Sequence, residues 1–210
     1  MMATTHVFAA LAVAVVVAAV APQFAGVVAA AAILGGLFPD FDLVAGHRRT
    51  LHFPVYYAVF AVLAGLVAAI VPTDVTVGLA AFLLAAALHS GADLLGGGLE
   101  LKPWRATSDR AVYSHYHGRW LAPRRWVRYD GAPEDLALAA VLALPALFVF
   151  DGRVRSVVIV MLVVSIGYTV VRKRLANAGE WLFGRVPASV LSVVPQRVVP
   201  VEDDRERTAE

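Results

Sequence analysis

Long apolar runs broken by short polar segments dominate this sequence. Five runs stand out, Thr5 to Val20, Phe24 to Phe38, Phe53 to Val71, Val75 to Leu95 and Val154 to Val171, and Leu136 to Phe150 makes a sixth. Runs of this length with so few charges predict membrane-spanning helices, because backbone groups in hydrocarbon must find their partners inside the helix. The expected fold is all-α, a polytopic integral membrane protein of about six transmembrane helices, five at the least. The second and sixth runs hold only 15 residues, short of the roughly 20 that a full span needs. If either is re-entrant it still pairs with its neighbour as a hairpin, so the parity of the topology survives. Punctuation agrees with these boundaries: Pro39 follows the second run and Pro72 the third, Thr73 and Asp74 can cap the fourth, and Pro133 opens the next.

Composition strengthens this picture. At 60% hydrophobic residues, 16% charged residues and a mean hydropathy of +0.71, the chain holds more apolar surface than one soluble core can bury, and the excess must face lipid. Ala19-Val20-Ala21 has the form of a signal-peptide cleavage site. No Lys or Arg precedes the run, however, and Pro22 would directly follow the cut, so Met1 to Val20 is read as the first helix. Two lysines against sixteen arginines, with abundant Ala and Val, are the usage of a GC-rich genome of archaeal kind. The absence of cysteine excludes disulfides and thiolate metal sites, leaving nitrogen and oxygen as ligands.

The formal charge of +2 is small, and no nucleic-acid partner is expected; its placement says more. With six helices, the N-terminus, Pro39 to His52, Gly97 to Pro133 and everything from Arg172 onward share one side. That side holds 16 of the 18 Lys and Arg residues, leaving only Arg153 and Arg155 opposite, so the positive-inside rule makes it, and both termini, cytoplasmic. Residues 1–171 form the transmembrane domain. From Arg172 the chain reads as a basic stop, an amphipathic surface piece around Leu175 to Phe183, and a charged, disordered end from Glu202 to Glu210. The many Ala and Gly, Gly35, Gly36, Gly65 and Gly78 among them, suit close helix packing. No internal repeat is visible.

Chemistry gathers at the same face. His89 and Asp93 are four residues apart and share one face of the fourth helix, and ionisable groups inside a span are costly and usually functional. Pro39-Asp40-Phe41-Asp42 ends the second helix; in an extended segment Asp40 and Asp42 would point the same way, as chelation requires. His47 and His52 follow at the mouth of the third helix, and His6 lies in the first. His6, Asp40, Asp42, His47, His52, His89 and Asp93 are the candidate metal ligands. They exceed the four of one tetrahedral zinc, so either some act as outer partners or two ions sit about 3.5 to 4 Å apart. Mixed imidazole and carboxylate suit Zn²⁺, Mn²⁺ or Fe²⁺. Arg48 is the candidate to steady a developing anion, although beside Arg49 it also serves as a topology-setting charge. His115 and His117, in the aromatic stretch Tyr113 to Trp120, read as interfacial packing and are further candidates for the site.

The ordered set His6, Pro39-Asp40-x-Asp42, His47-Arg48-x-x-x-His52 and His89-x-x-x-Asp93, followed by Gly97, Gly98 and Pro103, resembles the YdjM-like family of membrane-bound metal-dependent hydrolases. The likeness covers roughly residues 1 to 105. It implies a multi-helix membrane protein with a His/Asp metal centre at the membrane face and hydrolase activity. In the family's usual form a glycine follows the His-Arg pair and a Thr-His-Ser triplet closes the motif; here those positions carry Arg49, Leu51 and Phe53. The ligand types are retained and their surroundings altered. Hydrolysis of a lipid-borne or other anionic ester is therefore the first expectation. The alternatives are a His/Asp-dependent ion or proton transporter, which would favour a midplane site and repeated halves, and a metal-binding membrane protein without turnover.

Overall fold

The computed structural model describes residues 1–186; the charged end from Glu202 lies outside them. The fold is all-α, and an apolar helix stands on each of the six runs: α1 (Ala3–Val20), α2 (Ala25–Leu37), α4 (Pro54–Ile70), α5 (Asp74–Ala92), α6 (Pro133–Val149) and α7 (Gly152–Phe183), with a single-turn α3 (Leu43–Gly46) after α2. The punctuating residues act as their chemistry dictates. Pro54 and Pro133 occupy first-turn positions where no N–H is needed. Thr73 and Thr76 form a reciprocal capping box that starts α5.

Four helices are long and apolar enough to cross a membrane: α1, Pro22–Asp42, Asp74–Leu95 and α7. The second run is thus longer than its sequence suggested, because one-turn 3₁₀ segments extend α2 at both ends to 21 residues. Helices α4 and α6 have 17 residues each, about 26 Å at 1.5 Å per residue, and pair with α5 and α7 as antiparallel neighbours. The sequence closes the last span at Val171; α7 instead runs on unbroken for 32 residues. Arg172 does more there than mark a boundary, since its guanidinium grips Asp130 with Nε and Nη2 at 2.6 and 3.1 Å. Tyr168 donates to the same carboxylate.

Helix α1 is the hub. Its Val7, Phe8, Leu11, Ala14 and Ala18 meet Val28, Ala29 and Ala32 of α2, Ala85 of α5, Ala139, Ala143 and Ala146 of α6 and Val158 of α7 in one buried cluster. Alanine and glycine let the axes approach closely. A Cβ on Gly36 would sit 3.0 Å from the Val7 backbone, and one on Gly35 would strike Phe82 and Ala85 of α5. This packing brings the far end of α2 against α1 and α5 together.

The segment between α5 and α6 folds back over the end of the bundle. It carries a small antiparallel hairpin, Val112–Ser114 with Arg119–Leu121, where the sequence showed only an aromatic loop. Its amides at Arg124, Arg125 and Val127 bond the carbonyls of Leu94, Gly96 and Leu95 just after α5. Met1, Pro39 to His52, this segment and the end of α7 all lie at one end of the bundle, tied by Arg48 to Gly97, Arg172 to Asp130 and Lys102 to Glu180.

Because the chain has no cysteine, single cysteines at Thr107, Ala178 and Thr73 report the orientation. The first two are expected to label from the same side of a sealed vesicle and Thr73 from the opposite side; Thr107 and Ala178 labelling from different sides overturns the arrangement.

Candidate metal centre

Asp93 sits where α5 gives way to a 3₁₀ turn, and its carboxylate is almost wholly buried. Oδ1 faces cationic and donor groups: His6 Nε2 at 3.3 Å, Arg48 Nη2 at 3.3 Å and the Met1 nitrogen at 3.6 Å. Oδ2 faces two imidazoles, His52 Nε2 at 3.2 Å and His89 Nε2 at 3.7 Å. Asp40 Oδ1 approaches the same His89 nitrogen at 3.4 Å. Two groups of three, His6 with His89 and Asp93, and Asp40 with His52 and His89, each place their ligand atoms within 4.8 Å of one another.

These spacings can be tested against an ion. A tetrahedral centre with bonds of about 2.0 to 2.2 Å holds its ligand atoms about 3.3 to 3.6 Å apart, and the measured 3.2, 3.4 and 3.7 Å bracket that range. His52 Nε2, His89 Nε2 and Asp93 Oδ2 are each buried without a hydrogen-bond partner. Such orphans are costly unless something binds them. The residues therefore fit a metal ion bound through nitrogen and oxygen.

The outer partners fit as well. Histidine ligands usually donate their second ring N–H to a carboxylate or carbonyl, which fixes the tautomer. His52 Nδ1 lies 2.9 Å from Asp42 Oδ2, and His89 Nδ1 lies 2.6 Å from the Gly36 carbonyl. That carbonyl belongs to the last turn of α2, where helix geometry leaves acceptors free. Burial opposes a charge on His52, but the carboxylates at its two nitrogens prevail and push its pKa up to about 9. A cation on Nε2 must displace that proton.

Asp42 has a different role from the one its sequence neighbourhood suggested. Phe38–Asp42 is 3₁₀ rather than extended, and with three residues per turn positions two apart point about 120° away from each other. Asp40 therefore turns to His89, while Asp42 turns into the following loop. There its oxygens meet His47 Nδ1, His52 Nδ1 and the backbone amides of Arg48, Arg49 and Leu51. With its oxygens so occupied, Asp42 shapes the loop and aims His52. His47 is held by Asp42 at 3.2 Å, is partly exposed and belongs to neither group of three. Arg48 is committed to the Gly97 carbonyl at 2.9 Å, the Ala111 carbonyl at 3.5 Å and Asp93.

The remaining candidates lie apart. His115 packs against Phe53 and bonds the Arg49 carbonyl, and His117 bonds Ser114. Arg49 lies over the Tyr113 ring and is not among the left-handed residues, whereas Arg48 is, at φ 57°. No sequence pattern pointed to the Gly36 carbonyl, because a backbone acceptor has no side chain to signal it. Asp135, which accepts from the amides of Met2 and Gly131 and from Thr5 Oγ1, was hidden as an ordinary helix-start acid; it anchors the first turn of α1 beside the site. Comparison with protein-family models, curated proteins and solved structures gives no match, so the chemistry rests on this geometry.

Purified protein is expected to retain a divalent ion detectable by elemental analysis. His89→Ala or Asp93→Ala should lose it, whereas His115→Ala and His117→Ala should keep it; an ion count unchanged by the first pair overturns the centre.

Proposed function

We propose that this chain is a membrane-bound metal-dependent hydrolase with its site at the cytoplasmic face of the cell membrane. The observation that carries the reading is the convergence of three unpartnered ligand atoms, from His52, His89 and Asp93, beside Asp40. Asp40 is the one member of this set with substantial exposure, 30% of its side chain, so any open position lies on its side. One ion is the better count: His89 Nδ1 is taken by Gly36, and the single lone pair of Nε2 serves one cation, which makes the two groups of three alternative views of one site. Zn²⁺, Mn²⁺ or Fe²⁺ suits two imidazoles and two carboxylates. Such an ion supplies the acidity that makes water nucleophilic near neutral pH.

The chain's own residues divide the remaining work. His47, oriented by Asp42, partly exposed and lining the cavity that Asp40 also lines, is our candidate to take the proton from the attacking water and return it to the alcohol as the ester bond breaks. Arg48 acts through Asp93: it holds Oδ1 and leaves Oδ2 to the ion. This makes it a positioning residue rather than the anion-stabilising group the sequence suggests. The crowding of Lys and Arg at the site end of the bundle supports the cytoplasmic orientation. A transport reading gains nothing from the open groove between α1, α2, α4 and α5, whose lining residues are all apolar.

Hydrolysis of soluble phosphoester and carboxylester probes should vanish on chelation and return with the ion. His47→Ala should keep the metal and slow turnover by about 10²-fold or more. Arg48→Ala should weaken metal affinity by about 10- to 100-fold, with Arg48→Lys recovering part of it. Full activity in metal-free protein ends the hydrolase reading.

A further inference from the structure

The route to the centre is set by what covers it. Beyond the end of α5, the polar side is roofed. The Arg48 carbonyl accepts from the Tyr113 amide at 2.9 Å, His115 reaches the Arg49 carbonyl at 2.6 Å, and Arg48 itself reaches Gly97. Ala111, Val112 and Ser114 are fully buried beneath this layer. The opening lies to the side, in a cavity of about 480 Å³ that has Asp40, His47 and Arg48 on one wall, Val164, Ser165 and Tyr168 of α7 on the other and the first turn of α1 as its floor.

Its rim is apolar and exposed. Leu43 is 67% exposed and Val164 55%. Val164 belongs to the outward face of α7, with Val160, Val163 and Val171, in a helix apolar enough to span. Arg172 lies eight positions after Val164, about 12 Å along the helix. The cavity therefore runs from head-group level, at Arg172 and Asp130, down to hydrocarbon level at Val164. Water-soluble substrates gain nothing from such a mouth; an amphiphile fits both of its ends.

We propose that this cavity is a lateral lipid-binding site: an ester-bearing membrane lipid enters between α3 and α7, sets its head group at the Asp40 edge of the centre and leaves its chains in the bilayer outside Val164. That the bound lipid is then hydrolysed rests on the hydrolase reading; that it binds there does not.

The test uses full-length protein in phosphatidylglycerol nanodiscs doped with a phosphatidylglycerol carrying a diazirine in its acyl chain. Illumination is expected to give adducts on α7 around Val164 and on the Leu43 segment. Val164→Trp, and independently Leu43→Trp, should reduce adducts and any lipid hydrolysis by roughly tenfold, since a bulky side chain clashes with the occupant, while ion content stays unchanged. Adducts spread evenly over the lipid-facing helices, or lipid turnover untouched by both variants, overturn the lateral site. Adducts confined to the mouth, with no hydrolysis of lipid or soluble ester, uphold the site and remove the hydrolase reading alone.

Discussion

A carboxylate buried at the end of a membrane helix cannot stay uncompensated, and the arrangement around Asp93 follows from that constraint. Moving a charge out of water costs far more than any single contact returns. Asp93 is accordingly surrounded by Arg48, the Met1 nitrogen and three histidines. Its two oxygens are treated differently, and this difference gives the site its chemistry. Oδ1 is neutralised from the scaffold, by groups that arrive with the first turn of α1 and the loop before α4. Oδ2 is left facing two imidazole nitrogens that make no hydrogen bond, one of them also facing Asp40 at 3.4 Å. Oδ2 and the two nitrogens approach at 3.2 and 3.7 Å without forming a hydrogen bond, a condition that a shared cation satisfies.

Holding that arrangement depends on packing far from any charge. His6, Asp40, His52 and the His89–Asp93 pair come from four separate stretches of chain, and sub-ångström placement of their atoms requires rigid axes. The small residues provide them. Gly36 shows the link most directly, since lacking a side chain it admits Val7 at close range, and its carbonyl then fixes the His89 tautomer. The stacking of His6 on His89, with ring centroids 3.9 Å apart, comes from the same approach of α1, α2 and α5. A bulkier residue at position 36 would push α1 away from α2 and separate the two rings, with no change to any ligand.

The segment from Gly97 to Pro133 gives the centre its directionality. By bonding to the turn after α5 and to the backbone of Arg48 and Arg49, it closes the polar side. Leu51 and Phe53, which flank His52, take part in this closure: the Leu51 amide donates to Asp42, and Phe53 packs on His115 and Tyr57. The loop is thus held by aromatic contact as well as by hydrogen bonds. What stays open is the side toward α7, whose outward face is apolar.

The sequence by itself determined the membrane class, the six helices and the end of the bundle that carries the chemistry. Those properties depend on local composition: apolar runs measured against the bilayer thickness, prolines and threonines at helix ends, and the side on which arginine collects. The members of the two His and Asp groups are among the residues the sequence singled out, as are Asp42 and His47, which belong to neither group, because His and Asp stand out beside apolar helices. Their roles were beyond its reach. A sequence does not show that Asp40 and Asp42 diverge on a 3₁₀ turn, that Arg48 serves Asp93, that a glycine carbonyl orients a histidine, or that α7 continues past Arg172 to grip Asp130. Each of these depends on distances between segments remote along the chain, and only the packing of α1 against α2, α5 and α6 decides those distances.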